Sequence, residues 1–418
     1  MDQLLLKLHQ AIQFLGKISI LFLFTLLFSF CASGDELEIK PNEADKSYWD
    51  EVASYLAGVP LDENNRFLPL TSLNYYKNYS RSIDKAWGKI TSNYINHVTE
   101  WSKEFIPDSH KENTSLYLLS GADFINLYHF YPKSNRYIMV GLETPGYIND
   151  PILFKPEELK NAFYTLDASL NQISTQNYFT TILMEKKFAN KYFPGVAPVL
   201  LVFLKRIGFQ IDELQRISIT PDGIIKEIKS EEVKDVPDAY QGVRIIFHSK
   251  DNPRFRELIF LKFFVSPNSM EPTSVEGKFF SKQKKLNLIM KSAIYLMHME
   301  KYKNFIQSIL SKTEIVSEDD SGIPVRYFQK EDWNIDVFGS YTKRLSIRYV
   351  PKEANMFKSE KGNIRTESQK FTQEDLKEIY ETSAKPLRFK YGYGGAFRGT
   401  ARNNLILLRR RALLKTKA

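Results

Sequence analysis

Residues 116–143 read LYLLSGADFINLYHFYPKSNRYIMVGLE. Leu116-Tyr117-Leu118-Leu119 is a short buried-strand run, closed by the turn residues Ser120-Gly121-Ala122-Asp123. Phe124 to Tyr131 is long enough for a short helix, which Pro132 stops. Tyr137 to Leu142 is a second apolar run, ending in Glu143. Strand, loop, short helix and strand is the grammar of a βαβ unit, which joins parallel strands. The expected fold is α/β (or α+β), a Rossmann-like mixed sheet with flanking helices.

On the N-terminal side, residues 48–110 are expected to form a helical lobe. Trp49, Val52, Ala53 and Leu56 recur at helical spacing, as do Ile83, Ala86, Trp87, Ile90, Tyr94, Val98, Trp101 and Phe105. Such an aromatic stripe reads as core. Further along, 157–193 and 198–207 read as helices. Arg216 to Ile228 and Val243 to Val265 read as antiparallel strands turning at Pro221-Asp222-Gly223 and Lys250-Asp251-Asn252-Pro253. A second α/β unit is expected from Ser292–Met297, a helix over 300–311 and the strand Glu314–Val316. It ends at the acidic turn Glu318-Asp319-Asp320-Ser321-Gly322. Lys352 to Lys370 is charged and poor in large apolar groups, the composition of a surface loop.

The N-terminus carries an export signal. Ile18 to Phe30 runs without a charge, a length typical of a signal-peptide apolar core and short of the about twenty residues a spanning helix needs. Cys31, the only cysteine of the chain, follows at once, ahead of Ala32-Ser33-Gly34 and an acidic run. This resembles the lipobox of bacterial lipoproteins, which implies lipidation of Cys31. Phe28, Ser29 and Phe30 depart from that pattern, and the alternatives are cleavage after Cys31 or Ser33 and an uncleaved N-terminal signal anchor in the membrane. The expected organisation is a signal over 1–33, a tether over 34–47 and a single globular domain over 48–418. One cysteine allows no intramolecular disulfide, and thiol catalysis in the folded body is excluded.

The net charge of +9 is badly distributed for nucleic-acid binding. From Lys385 to Ala418 there are ten Lys or Arg and no Asp or Glu, so the rest of the chain is close to neutral. For an exported protein the acidic partner of that tail is a membrane surface rather than a phosphodiester backbone.

Three groups of residues carry chemistry. Asp319 and Asp320 on a Gly-bearing turn can chelate a hard cation or act as acid and base. The alternative is a plain Asp-Ser-Gly turn bonding its own backbone. Ser120-Gly121-Ala122-Asp123 leads a helix after a strand, and Glu143 ends the next strand about twenty residues on. Nucleotide-binding Rossmann units place a ribose-binding acid in that way, although only one glycine of their fingerprint is present. Asp123 as a plain helix cap is the alternative. His129 and His298 stand beside these segments and could join the acids, but the histidines show no metal-ligand spacing, and no cofactor or metal is specified.

Several of these segments together resemble a family of uncharacterised exported bacterial proteins. They are Leu119–Phe124, Val140–Gly146, Lys291–His298, Asp319–Pro324, Phe338–Tyr341 and Phe389–Gly394, in that order over roughly residues 50–410. Members usually carry Pro where this chain has Ala122. The resemblance implies one contiguous exported domain with Asn404 to Leu408 as a final strand, and it implies nothing about substrate. Three functions remain open on these grounds. One is a membrane-tethered envelope protein that binds or scaffolds a glycan or protein partner. Another is an envelope hydrolase using Asp319, Asp320 and Asp123 with His298 or His129. The last is a Rossmann-like nucleotide binder.

Overall fold

Strand alternation sorts the apolar side chains of the chain onto two faces of one sheet. The computed structural model describes residues 46–107, 113–176, 192–237, 240–263, 266–293, 295–341, 373–392 and 403–411. The chain divides into Met1–Glu38 and Ile39–Ala418, and the sheet with its helices belongs to the second unit. The signal, Cys31, most of the tether and Lys352–Lys370 lie outside the described residues.

The sheet has ten strands: β1 Thr114–Leu118, β2 Arg136–Gly141, β3 Phe209–Ile219, β4 Ile225–Glu227, β5 Gln241–Ser249, β6 Asn252–Lys262, β7 Leu286–Met290, β8 Thr313–Glu318, β9 Trp333–Gly339 and β10 Asn404–Arg410. Their order across the sheet is β4-β3-β5-β6-β2-β1-β7-β8-β10-β9. β6, β2, β1, β7 and β8 are parallel neighbours. The meander β4-β3-β5-β6 is antiparallel, and β10 lies antiparallel between β8 and β9. Counted in chain order, the five parallel strands run third, second, first, fourth, fifth, the order of a doubly wound Rossmann-like sheet.

In β1, Tyr117 faces one core while Leu116 and Leu118 face the other. The first core is covered by α1 (Lys46–Ala57), α2 (Asn74–Ile90), α3 (Asn96–Phe105), α4 (Phe124–Phe130), α5 (Pro156–Gln176) and α6 (Ala197–Ile207). A π-helical turn at Thr91–Ile95 joins α2 to α3, so the helical stripe read from Ile83 to Phe105 is continuous. The second core packs against α7 (Val275–Lys282), α8 (Lys303–Leu310) and α9 (Glu374–Ser383). Helices on both faces of a mixed sheet confirm the α/β expectation. The apolar run of α6 is a buried helix, and among the described residues no helix is long and apolar enough to cross a membrane.

One strand was misplaced by sequence. The described residues of 292–297 lie in no strand; the fourth parallel strand is Leu286–Met290, just upstream. Ser292 and Tyr295 take left-handed φ of 54° and 59°, and Leu296–His298 is a 3-10 turn. The apolar side chains of Ala293, Tyr295, Leu296 and Met297 therefore reflect burial in a turn rather than a strand's alternation.

Candidate functional site

Parallel strands deliver their carboxyl ends to one edge, and ligands of such sheets bind where the winding reverses. In this sheet the winding leaves β1 toward β2 on one side and resumes with β7 on the other. The residues just past β1 and β7 are thus the site that topology singles out. They are also where the backbone is least relaxed. Leu119, Ser292 and Tyr295 are three of the four described non-glycine residues with positive φ. Left-handed backbone costs a side-chain-bearing residue roughly 1–2 kcal/mol and clusters at functional sites.

Asp123 follows β1 and caps α4 by accepting from the backbone of Asn126. Lys291 follows β7, and its Nζ lies 2.9 Å from Asp123 Oδ2, with the two side chains 0% and 3% exposed. A buried ion pair is tolerable only if the remaining lone pairs and protons are also satisfied. Tyr117 donates its hydroxyl to Asp123 Oδ2 at 3.1 Å, and Asn126 Nδ2 lies 2.7 Å from both carboxylate oxygens. Asn126 Oδ1 in turn accepts from the Tyr94 hydroxyl. The ring of Tyr391 stands 5.8 Å from Lys291 Nζ.

The acidic turn after β8 forms the neighbouring group. Asp319 Oδ2 accepts from the Ser292 amide at 3.0 Å, and Oδ1 accepts from the Ser321 amide and hydroxyl. Asp320 turns elsewhere, taking the Tyr295 hydroxyl at 2.6 Å and Asn404 Nδ2 at 2.9 Å. The two carboxylates thus use separate donor sets and do not converge as a chelating pair. Burial, then the neighbouring Asp320 charge, pushes the Asp319 carboxyl from 3.8 up to about 7, against the opposing hydrogen bonds from Ser321 and Ser292. Burial raises Glu318 well above the carboxylate range, with Asp319 adding to it against the Ile323 amide that donates to its Oε2. Gly392 must be glycine: its φ is 59°, and a Cβ there would stand 1.9 Å from Asp319 Oδ2.

Asp123 and Asp319 are thereby brought to one place, joined through the consecutive residues Lys291 and Ser292. Both carboxylates also bear on the Tyr391 hydroxyl, which donates to the Ser317 carbonyl at 3.1 Å. His298 stacks edge-on against Tyr295 with centroids 5.1 Å apart, and burial, reinforced by Arg326, pushes its pKa down to about 3. It is a neutral imidazole at physiological pH. His129 does not join the acids; its Nδ1 is 3.2 Å from Thr99 Oγ1, and burial lowers it to about 4. Glu143 is 2% exposed at the end of β2 and accepts from the Leu142 amide at 3.0 Å. Ser120 donates its hydroxyl to the Gly121 carbonyl at 2.9 Å.

Sequence reasoning assigned no role in the site to Lys291, Tyr295 or Asn404. A lone lysine directly after the apolar run Leu286–Met290 was the available signal for the first. Among the described residues no group of three or more His, Cys, Asp or Glu is arranged to hold a metal ion. Neither of two surface cavities in the fold is lined by Asp123, Asp319 or Asp320. Compared with known proteins, the chain matches no protein-family model and no curated protein sequence.

Proposed function

We propose that the protein is an exported binding protein that holds a nucleoside-class ligand at the carboxyl ends of β1 and β2, framed by the Asp123–Lys291 network. The observation that carries this reading is a buried acid, Glu143, at the end of the second strand of a sheet ordered 3-2-1-4-5. In sheets of that order an acid so placed bonds ribose hydroxyls. Glu143, Asp123, Asp319 and Asp320 crowd one edge of the sheet, with Lys291 already paired to Asp123. Such an edge repels phosphates and favours a neutral or cationic nucleoside. Export and membrane tethering rest on residues 18–34, with Cys31 as the lipid attachment point.

Thermal melts of the full chain with adenosine, S-adenosylmethionine, ADP and NAD test the ligand. A binder at a hundred times its dissociation constant adds about 2.7 kcal/mol. The expected result is stabilisation by the compounds without phosphate, lost in Glu143→Gln at an unchanged unliganded midpoint. No response to any of the four, or an unaltered response in Glu143→Gln, overturns the reading. Palmitate labelling lost in Cys31→Ala tests the tether.

A second reading is favoured by Asp319. A buried carboxyl near neutrality can serve as general acid and base, which is the chemistry of an envelope hydrolase acting on glycan or phosphoester. Turnover of such a substrate, abolished in Asp319→Asn with no loss of stability, would decide for it.

A further inference from the structure

Beside the acidic network, on the same edge of the sheet, lies a cavity of about 210 Å³ whose chemistry is opposite in sign. Its walls are the loop after β2 (Thr144–Tyr147 and Asn149), Pro194, Ile228, Val233 and the start of β5, with Arg216 of β3 among them. The loop is pinned by close backbone approach. Gly146 has φ 70°, and a Cβ there would stand 1.7 Å from the Pro194 carbonyl oxygen. The Val196 amide donates to the Thr144 carbonyl and the Ala197 amide to the Pro145 carbonyl, at 3.1 and 3.0 Å.

Among the described residues of this wall, Arg216 is the one with a charged side chain. Its guanidinium carbon lies 4.1 Å from the centroid of the Tyr147 ring, a cation–π stack that holds the plane of the group. Tyr147 is itself fixed, donating its hydroxyl to the Leu214 carbonyl at 3.2 Å. Among the described residues no carboxylate pairs with Arg216, and its Nε is buried with no hydrogen-bond partner. A buried guanidinium N–H left without an acceptor is costly, because the group has lost its water. Desolvation accordingly lowers the Arg216 pKa. Pre-organised, half-buried and without a counter-ion among the described residues, the group is set to take an anion.

We propose that this cavity is a binding site for a small organic carboxylate, which takes the two terminal Nη groups of Arg216 in a two-point bond and lays its apolar part against Pro145, Pro194, Ile228 and Val233. A planar carboxylate matches the fork of guanidinium donors, as a single point charge does not. The apolar walls select an acid that carries a hydrocarbon body over a free inorganic anion. This site is independent of the nucleoside reading, since it uses neither Glu143 nor the Asp123–Lys291 pair.

Isothermal titration calorimetry of the full chain with benzoate, propionate and inorganic phosphate tests it, with benzamide as the uncharged control. Benzoate is expected to bind, more tightly than propionate, while phosphate and benzamide do not. Arg216→Gln and Arg216→Lys should each weaken benzoate at least tenfold, the lysine because it keeps the charge but loses the fork. No heat with either carboxylate, equal binding of benzamide, or preferential binding of phosphate would overturn the assignment. So would wild-type affinity in Arg216→Lys, a variant that keeps the positive charge and keeps the test valid if Arg216→Gln fails to fold.

Discussion

Replacing Lys291 by Met removes one charge of a pair that no water reaches. Asp123 would keep the Tyr117 hydroxyl and the Asn126 amide as donors, but its charge would be uncompensated. Removing one member of a buried ion pair costs about 3–5 kcal/mol, most of it the penalty of the charge left behind. Removing both in Asp123→Asn/Lys291→Met leaves a neutral amide beside a thioether, and the loss should shrink to about 1–2 kcal/mol. The assay is urea unfolding at pH 7 followed by tryptophan fluorescence, with Trp49, Trp101 and Trp333 as buried reporters. Near 2.1 cal/mol/K per residue of unfolding entropy, a domain of this size loses roughly 1.3 °C of thermal midpoint per kcal/mol, so the single variant should melt about 4–6 °C lower. A loss under about 1 kcal/mol in Lys291→Met, or a double variant as unstable as the sum of its single changes, would refute the claim that the two charges are coupled in a dry site.

Asp319 supplies a pH dependence. Its carboxyl titrates near 3.8 when unfolded and near 7 when folded, so between those values the folded state holds the extra proton. Its contribution is fully present below about 4 and is lost as pH rises toward 7, with a slope of at most about 1.4 kcal/mol per pH unit. Asp319→Asn should flatten that part of the stability–pH curve, which urea midpoints across pH 4–8 will measure. Gly392→Ala should cost about 1–3 kcal/mol, since a methyl group must displace the Asp319 carboxylate, and circular-dichroism melts will show it. Glu318→Gln should stay within about 1 kcal/mol of wild type by the same melts. Burial disfavours the charged form of Glu318, and its Oε1 has no partner among the described residues, so an amide can keep the bond from Ile323.

Local features were legible in the sequence. The βαβ unit over 116–143 could be read because its strands, turn and helix are contiguous, and each leaves its own period. The strand at Asn404 was also legible, through the resemblance of neighbouring segments. Order in the sheet was not. That β6 neighbours β2, and that β10 enters between β8 and β9, are outcomes of pairing between segments far apart, which periodicity does not encode. The same limit governs the site. Asp123 and the acidic turn could be picked out by residue type and position, but Lys291 is 168 residues from Asp123, and no spacing rule connects them. Tyr295 and Asn404, which take up the Asp320 carboxylate, come from a turn and a strand edge that say nothing of their partner.

The interior position of β10 sets a timetable. While a chain is being made, β8 and β9 exist long before residues 404–410 do, yet they flank an empty lane about 4.8 Å wide on each side and cannot pair with one another in the native register. Asp320 likewise waits through 84 further residues for Asn404, its own hydrogen-bonding partner. Until then that half of the sheet exposes two open edges, the state in which strands add to the wrong neighbour. The protein is therefore one whose native sheet closes only after residues 404–410 have been made. During that interval anything that shields β8 and β9 would govern the yield of folded molecules more than the stability of the finished fold does.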